Sequence, residues 1–274
     1  GAGRGRQRPH RQGRLLAGVG GWTAVLLAGS RPGGDPFARA HGVATKAEIA
    51  VAGVPMVTRV AETLLASGSV ARIVVLAQEP DALRPLLPPS SRIDVGRSAE
   101  TIAATLRRFA DHDLAPWPLF VTTADHALLT ADTVDAFLGT VRASDDVAVG
   151  LVSRAVVRRR FPGNKRTWLR FGDGQFTGAN MFALTGPRSL AALGFWAEVE
   201  QDRKKGWRLL AKLGPGLLLR ALLRRLSMQG ALDAVGGRLG VTVRAVTLED
   251  PLAAVDVDKQ ADLELATAVL EGRA

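Results

Sequence analysis

Acidic residues follow two segments that have the apolar composition of buried strands. Asp125 comes directly after residues 118–124, and Asp256 and Asp258 follow the segment 241–248. Carboxylate oxygens are hard ligands, and an Mg²⁺ ion bound to substrate phosphates needs only one or two of them from the protein. Strands that are distant in sequence can end at one edge of an α/β sheet, so these acids could share a site. The alternative is that Asp125 stabilises a turn and that Asp256 or Asp258 caps the final helix.

A loop rich in glycine and proline follows the first apolar segment, residues 22–28, and runs on to Lys46. Glycines allow the backbone to approach phosphate oxygens closely, and the cations of Arg31 and Lys46 could neutralise a polyphosphate. The loop contains neither G-x-x-x-x-G-K-[ST] nor G-x-G-x-x-G, so it is neither a Walker loop nor a dinucleotide fingerprint. An ordinary Gly/Pro connection is the alternative.

Lysine is scarce in this chain, which has 30 Arg and six Lys. Where arginine is used so heavily, a remaining lysine can indicate a place that needs a compact ammonium rather than a planar guanidinium. This argument favours Lys46 and Lys165. Lys259, beside the start of a predicted helix, needs no such explanation.

The cysteine and histidine content excludes several kinds of site. The chain has no Cys, which rules out a disulfide scaffold, a thiolate metal site and a cysteine nucleophile. The four histidines are far apart in sequence, so a histidine-built metal site is not expected; they are His10, His41, His112 and His126. Nowhere are there 18 uninterrupted apolar residues, so no membrane-spanning helix is expected.

The net charge of +10 is concentrated in two segments. Residues 1–21 carry five Arg and no acid, and residues 201–228 carry eight basic residues against Asp202. The remainder is slightly acidic, so we expect no specific nucleic-acid partner. Residues 1–21 are predicted to be a disordered basic segment that precedes a single domain at 22–274. The segment 203–228 has leucines at helical spacing on either side of Pro215. It is predicted to be a solvated helical cap, a peripheral membrane contact or a basic entrance for a phosphorylated substrate.

The elements that must position these residues alternate between strands and helices. Short apolar segments at 22–28, 71–77 and 118–124 are typical of strands buried on both faces of a parallel sheet. Helical patterns occupy residues 54–67, 98–110 and 130–142. Ser98 is the predicted cap of the second of these helices. Further strands are predicted at 146–153, 167–171, 178–184 and 241–248, the middle two as an antiparallel excursion, before a last helix at 260–271. The pattern predicts a mixed, mostly parallel doubly wound α/β sheet with a helical insertion near 187–236.

Several of these segments resemble the motifs of one family. The chain reads L-A-G-S-R at 27–31, K at Lys46 and G-V-P-M at 53–56. This pattern is similar to the signature L-A-G-G-x-x-x-R, then K, then G-x-P-M/L of MobA-like nucleotidyltransferases. Residues 123–126 resemble the strand-end Asp motif of that family, and residues 255–263 resemble its D-x-D-[TK]-x-x-D-L segment.

The resemblance implies a Rossmann-like fold of the GT-A type and a set of site residues. Mg²⁺ would be bound by Asp125 and Asp256, with Asp258 as a substitute for Asp256. Lys46 and Arg31 would be the catalytic cations. Nucleotide contacts are implied for Leu27, Ala28, Gly29, Ser30, Arg31, Lys46, Ser98 and Asp125, and substrate contacts for Lys165, Gly178 and Asn180.

We therefore expect a cytoplasmic, Mg²⁺-dependent nucleotidyltransferase, with attachment at the inner membrane surface as a second option. It would move an NMP from an NTP to a small phosphorylated sugar, polyol or related alcohol and release pyrophosphate. No nucleophilic side chain is needed, because the acceptor phosphate itself attacks the α-phosphorus. One alternative is a GT-A-type glycosyltransferase that uses an NDP-sugar, since Asp256 and Asp258 form a D-x-D. The other is a non-enzymatic membrane- or nucleic-acid-binding module that uses residues 1–21 and 203–225.

Overall fold

The computed structural model describes residues 21–29, 34–110, 117–163, 166–201 and 225–274. The strands in chain order are β1 (Trp22–Leu27), β2 (Ala50–Val51), β3 (Val54–Pro55), β4 (Val70–Ala77), β5 (Ile93–Arg97), β6 (Leu119–Thr123), β7 (Val147–Ser153), β8 (Leu169–Phe171), β9 (Gly174–Leu184) and β10 (Val243–Leu248). The helices are α1 (Pro36–Ala40), α2 (Met56–Ala66), α3 (Pro80–Leu83), α4 (Ile102–Ala110), α5 (Ala131–Gly139), α6 (Arg154–Arg160), α7 (Leu190–Gln201), α8 (Met228–Leu239) and α9 (Gln260–Leu270).

Eight of these strands form one mixed sheet in the order β10-β7-β9-β6-β1-β4-β5, with β8 paired to β9. The pairs β1–β4, β1–β6, β4–β5 and β7–β10 are parallel. Strand β9 runs antiparallel to β6, β7 and β8. The predicted mostly parallel α/β sheet, with an antiparallel excursion near its middle, is therefore confirmed.

Strand β1 lies at the switch point of this sheet. The chain passes from β1 to β4 on one side and later places β6 on the other. The loops that follow β1 and β6 consequently diverge over the carboxyl edge of the sheet, where open α/β folds bind their ligands.

The hydrophobic core covers both faces of the sheet, which explains the uninterrupted apolar segments. Every residue of β1 is buried. Leu26 and Phe120 belong to a cluster on one face, whereas Val25 and Val121 belong to a second cluster on the other. Because alternate side chains of a strand enter opposite faces, a strand with two covered faces must be apolar throughout.

Two helix starts differ from the predicted ones. The helix expected from residue 54 begins at Met56, because Val54–Pro55 pairs with Ala50–Val51 in a hairpin whose turn residues Ala52 and Gly53 both have positive φ. The helix expected from Ser98 begins at Ile102. The Ser98 N–H instead donates to the Ala77 carbonyl and extends the sheet.

The described part of the region predicted as a helical insertion is helical except at residues 225–227. It contains a 3-10 turn at Pro187–Ser189 and the helices α7 and α8, while residues 202–224 lie outside the described part of the chain. Leu193 of α7 and Met228 of α8 are buried in the core. Both helices therefore pack on the domain.

The outer edge of the sheet at β10 is covered by one side chain. Gln229 of α8 accepts a hydrogen bond from the Ala245 N–H at 2.8 Å and donates to the Val243 carbonyl at 2.8 Å. The amide thus satisfies outward-facing backbone groups of the edge strand.

Among the described residues, no helix combines the length and the apolar character that crossing a membrane requires.

Candidate functional site

Lys46 is the first residue of a 3-10 turn, Lys46–Glu48. The Glu48 carboxylate accepts a hydrogen bond from the Thr45 N–H at 2.7 Å, and Ala47 and Ile49 are buried against the core. These contacts fix the backbone on both sides of Lys46, so its side chain extends from an anchored base.

The Lys46 ammonium lies between two carboxylates. Its Nζ is 2.6 Å from Asp125 Oδ2 and 2.5 Å from Asp258 Oδ1, and its side chain is only 18% exposed. Burial opposes the charge of Lys46, but the attraction of Asp125 and Asp258 outweighs burial and raises the pKa of Lys46 above its ordinary value. Lys46 is therefore a fixed positive charge at the switch point.

Asp125 follows β6 and is held from several directions. The Ala124 N–H donates to the Leu27 carbonyl at 2.9 Å and joins the ends of β6 and β1. Thr123 donates its hydroxyl to Asp125 Oδ1 at 2.5 Å, and the Val257 N–H donates to the Asp125 carbonyl at 3.0 Å. The two acidic motifs are thus connected directly through the backbone.

Asp256 forms an ion pair with Arg166, whose Nη2 lies 2.5 Å from Asp256 Oδ1. The two side chains are 24% and 16% exposed respectively. Burial raises the pKa of Asp256; Arg166 opposes this shift, and the nearby carboxylates of Asp258 and Asp125 add to it. Sequence analysis did not single out Arg166, because one arginine among 30 carries no local signal of a partner in the C-terminal segment.

The residues around Asp125 and Asp256 fit a hard divalent cation. Their donor atoms are carboxylate oxygens, the type that Mg²⁺ prefers. Negative charge is crowded there, since one ammonium contacts both Asp125 and Asp258, and these two carboxylates help to raise the pKa of Asp256. Within the described residues no group of three or more candidate ligand side chains is assembled around one point. Two carboxylates are sufficient when substrate phosphates supply the other ligands.

The predicted nucleotide loop is described only at its start. Leu27 ends β1, and the Ala28 N–H donates to the Leu76 carbonyl at 2.9 Å. A Cβ on Gly29 would lie 3.0 Å from the Gln78 amide, so glycine allows Gln78 to pack against this loop. Ser30 and Arg31 lie outside the described residues, as do Lys165 and residues 203–224 of the predicted membrane contact. Their roles stay predictions.

Ser98 and His126 are polar residues with side-chain atoms that have no hydrogen-bond partner in the described structure. Ser98 follows β5, two strands away from β1, and its Oγ is buried and unpartnered. Two strand spacings place it roughly 10 Å to one side of the switch point. Both ring nitrogens of His126 are also unpartnered, and complete burial lowers the pKa of His126 to about 4, so the ring is neutral.

Gly178 and Asn180 lie in an irregular part of β9 on the other side of β6. The register between β7 and β9 shifts between the pairs Val149–Phe182 and Leu151–Gly178. Asn180, inside the shift, has a left-handed φ of 48°. The pairing of β9 with β6 ends at Val121–Phe182, just before the acidic end of β6. The structure therefore places Gly178 and Asn180 near the Asp125 edge, while Lys46, Asp125 and Asp258 are in direct contact.

A mostly parallel sheet with a lysine and three acids at the switch point defines a Rossmann-like α/β protein with a charged cluster at the edge where such folds bind their ligands. The chain belongs to the MobA-like NTP transferase family, whose model matches residues 24–215. Its resemblance to that family is thereby confirmed.

Solved structures with the same fold cover nearly the whole chain. A hypothetical transferase from Thermus thermophilus is 30% identical with a TM-score of 0.74, over 89% of this chain and 99% of the other. A CMP:2-keto-3-deoxy-manno-octonic acid synthetase in complex with CTP is 15% identical with a TM-score of 0.58, over 93% and 100%. A nucleotidyl transferase from Methanothermobacter is 16% identical with a TM-score of 0.51, over 91% and 98%. The last two likenesses concern the fold alone. A search of curated proteins gave no significant match.

Proposed function

We propose that this nucleotidyltransferase-family protein moves an NMP from an NTP to a small phosphorylated sugar, polyol or related alcohol and releases pyrophosphate. The observation that carries the proposal is the position of Lys46 Nζ between Asp125 and Asp258 at the switch point. A buried ammonium beside crowded carboxylates suits a reaction that neutralises phosphate charge and uses no nucleophilic side chain.

In this proposal the loop after β1 binds the triphosphate. The backbone of Leu27, Ala28 and Gly29 approaches the phosphates, and Ser30, Arg31 and Lys46 add hydrogen bonds and positive charge. The ammonium of Lys46 stabilises the negative charge that develops as pyrophosphate departs. The capped turn at Thr45 and Glu48 keeps this charge in position, so little reorganisation is needed during the reaction.

Asp125 and Asp256 would hold Mg²⁺. Asp258, which contacts Lys46, would be the substitute for Asp256. When bound, the ion would neutralise the triphosphate and polarise its α-phosphate. Thr123 and Val257 hold Asp125 through its side chain and its backbone, which keeps a ligand carboxylate oriented before substrate arrives.

The transfer step is a substitution at the α-phosphorus. An oxygen of the acceptor phosphate forms a bond to this phosphorus, the bond to the bridging oxygen of the β-phosphate breaks, and that oxygen leaves with the electron pair in pyrophosphate. The acceptor lies on the β9 side in this proposal, near Gly178 and Asn180, and Lys165 is predicted to contact it. The base lies on the β5 side, where the buried Ser98 hydroxyl could hydrogen-bond to it.

The direct test is a panel of four NTPs against sugar phosphates and polyol phosphates with Mg²⁺, monitored by pyrophosphate release and product mass. The proposal predicts pyrophosphate that depends on both substrates. A parallel panel of NDP-sugars tests the glycosyltransferase alternative, which predicts NDP release instead. If no combination of substrates releases pyrophosphate, the proposal is contradicted.

An exposed lysine next to the acidic motif provides the matched control. Lys259 is exposed at the start of α9, so Lys259→Ala removes the same charge without touching Asp125. Retained turnover in Lys259→Ala and lost turnover in Lys46→Ala would assign the effect to the position of Lys46 rather than to net charge.

A further inference from the structure

Arg166 reaches the acidic site from the segment between α6 and β8, and the sequence analysis assigned it no role. Its Nη2 meets Asp256 Oδ1 at 2.5 Å. Both side chains are largely buried, at 16% and 24% exposed. An ion pair at this depth is screened less by solvent than a surface pair, so it competes effectively with other ligands of the same carboxylate.

The described site contains its own counter-ions. Three carboxylates are present, and each is bonded to a cation of the protein: Lys46 contacts Asp125 and Asp258, and Arg166 contacts Asp256. A divalent cation that binds to Asp256 therefore meets the positive charge of Arg166 on the same carboxylate, and the two cations compete for it. Removing Arg166 would remove the competitor and leave the carboxylate in place.

We propose that Arg166 is a positioning residue that serves as the resident counter-ion of Asp256, holding this carboxylate in the site and releasing it when a divalent cation binds. The inference rests on the proposed metal-dependent nucleotidyl transfer. Once released, the guanidinium remains beside the site. It can then form an ion pair with a substrate phosphate instead of with Asp256.

The experiment is a titration of the apoprotein with Mn²⁺ at pH 8, without nucleotide, in which free Mn²⁺ is measured by electron paramagnetic resonance. We expect Arg166→Ala to bind Mn²⁺ about two- to fivefold more tightly than the parent, the range set by losing a partly exposed ion pair. The same variant should be slower in pyrophosphate release. A merely structural defect would weaken both metal binding and turnover, so opposite changes identify the proposed role.

Arg166→Gln supplies a second variant that keeps a polar side chain and loses the charge, in case Arg166→Ala fails to fold. Arg170→Ala is the matched control, because Arg170 is exposed on the neighbouring strand β8 and carries the same charge. We expect Arg170→Ala to leave Mn²⁺ affinity unchanged, which separates the local competition from the general effect of one positive charge.

A double-variant cycle tests whether Arg166 acts through Asp256. In an Asp256→Asn background, Arg166→Ala should no longer change Mn²⁺ affinity. Unchanged or weaker binding in both Arg166 variants overturns the proposal, as does undetectable binding in parent and variants alike, or an equal gain in the Asp256→Asn background. The titration uses no substrate, so its result is distinguishable from a failure of the pyrophosphate panel.

Discussion

The backbone carbonyl of Asp125 accepts a hydrogen bond from the N–H of Val257 at 3.0 Å. This bond joins the acidic motif after β6 to the acidic motif near the C-terminus independently of any side chain. The side chains of Asp125 and Asp256 can therefore change chemically while the main chain that positions them stays in place.

Asp125→Asn and Asp256→Asn should each abolish metal-dependent turnover and keep the fold. Each substitution removes a carboxylate that the proposal assigns to Mg²⁺, with little change in side-chain volume. Turnover is measured by pyrophosphate release and the fold by circular dichroism. Full activity in either variant would exclude that residue from the metal site.

Lys46→Ala should lower turnover by a factor on the order of 10², the usual effect of deleting a positioned electrostatic stabiliser. Lys46→Arg should restore little, because a planar guanidinium cannot fit where a compact ammonium contacts both Asp125 and Asp258. Steady-state kinetics on both variants provides the measurement. A fully active Lys46→Arg would instead favour Arg31 as the more important cation.

Asn180→Val should destabilise the protein by about 1–2 kcal/mol, because a β-branched residue is strained at the left-handed φ of 48°. Asn180→Gly adopts this conformation without strain and should be the more stable of the two. If the side chain also contacts substrate, Asn180→Gly will raise the KM for the acceptor. Urea unfolding and acceptor kinetics separate the two effects, and equal stabilities would contradict the strain argument.

The stability of the fold should fall in acid partly through Asp135. Burial works against the charge of Asp135, but hydrogen bonds from Ser67, Gly68 and Ser69 lower its pKa below the ordinary value of 3.8. The unfolded chain then binds a proton more readily than the native one, so this stabilisation is complete above pH 3.8 and is lost as the pH falls further. Asp135→Asn should flatten this part of the pH dependence. Urea unfolding of the parent and of Asp135→Asn at pH 6 and in acid provides the measurement. An equal loss of unfolding free energy in acid for both proteins would contradict this role of Asp135.

The sheet could be anticipated because its central strands carry an unambiguous pattern. The segment at 22–28 is apolar without interruption because β1 is covered on both faces. Strand β5 was missed, since Ile93–Arg97 lies at the sheet edge and its half-exposed residues I-D-V-G-R lack that signature. The hairpin at β2 and β3 was missed because Ala52, a residue without turn preference, occupies a left-handed position.

The candidate site could be predicted where a residue type and a strand end coincide. Asp125 and Asp256 were identifiable because parallel strands present their following loops at one edge. Arg166 was not, because its partner Asp256 is 90 residues away and the segment between α6 and β8 has no periodic pattern. Long-range ion pairs of this kind depend on the completed fold.

The amide of Gln229 acts as a surrogate neighbour for β10, since it occupies a donor and an acceptor that another strand would use. A bare edge is a template for adding a further strand from another molecule. Gln229 therefore protects this border against edge-to-edge aggregation, a task that charged or proline residues perform in many other sheets.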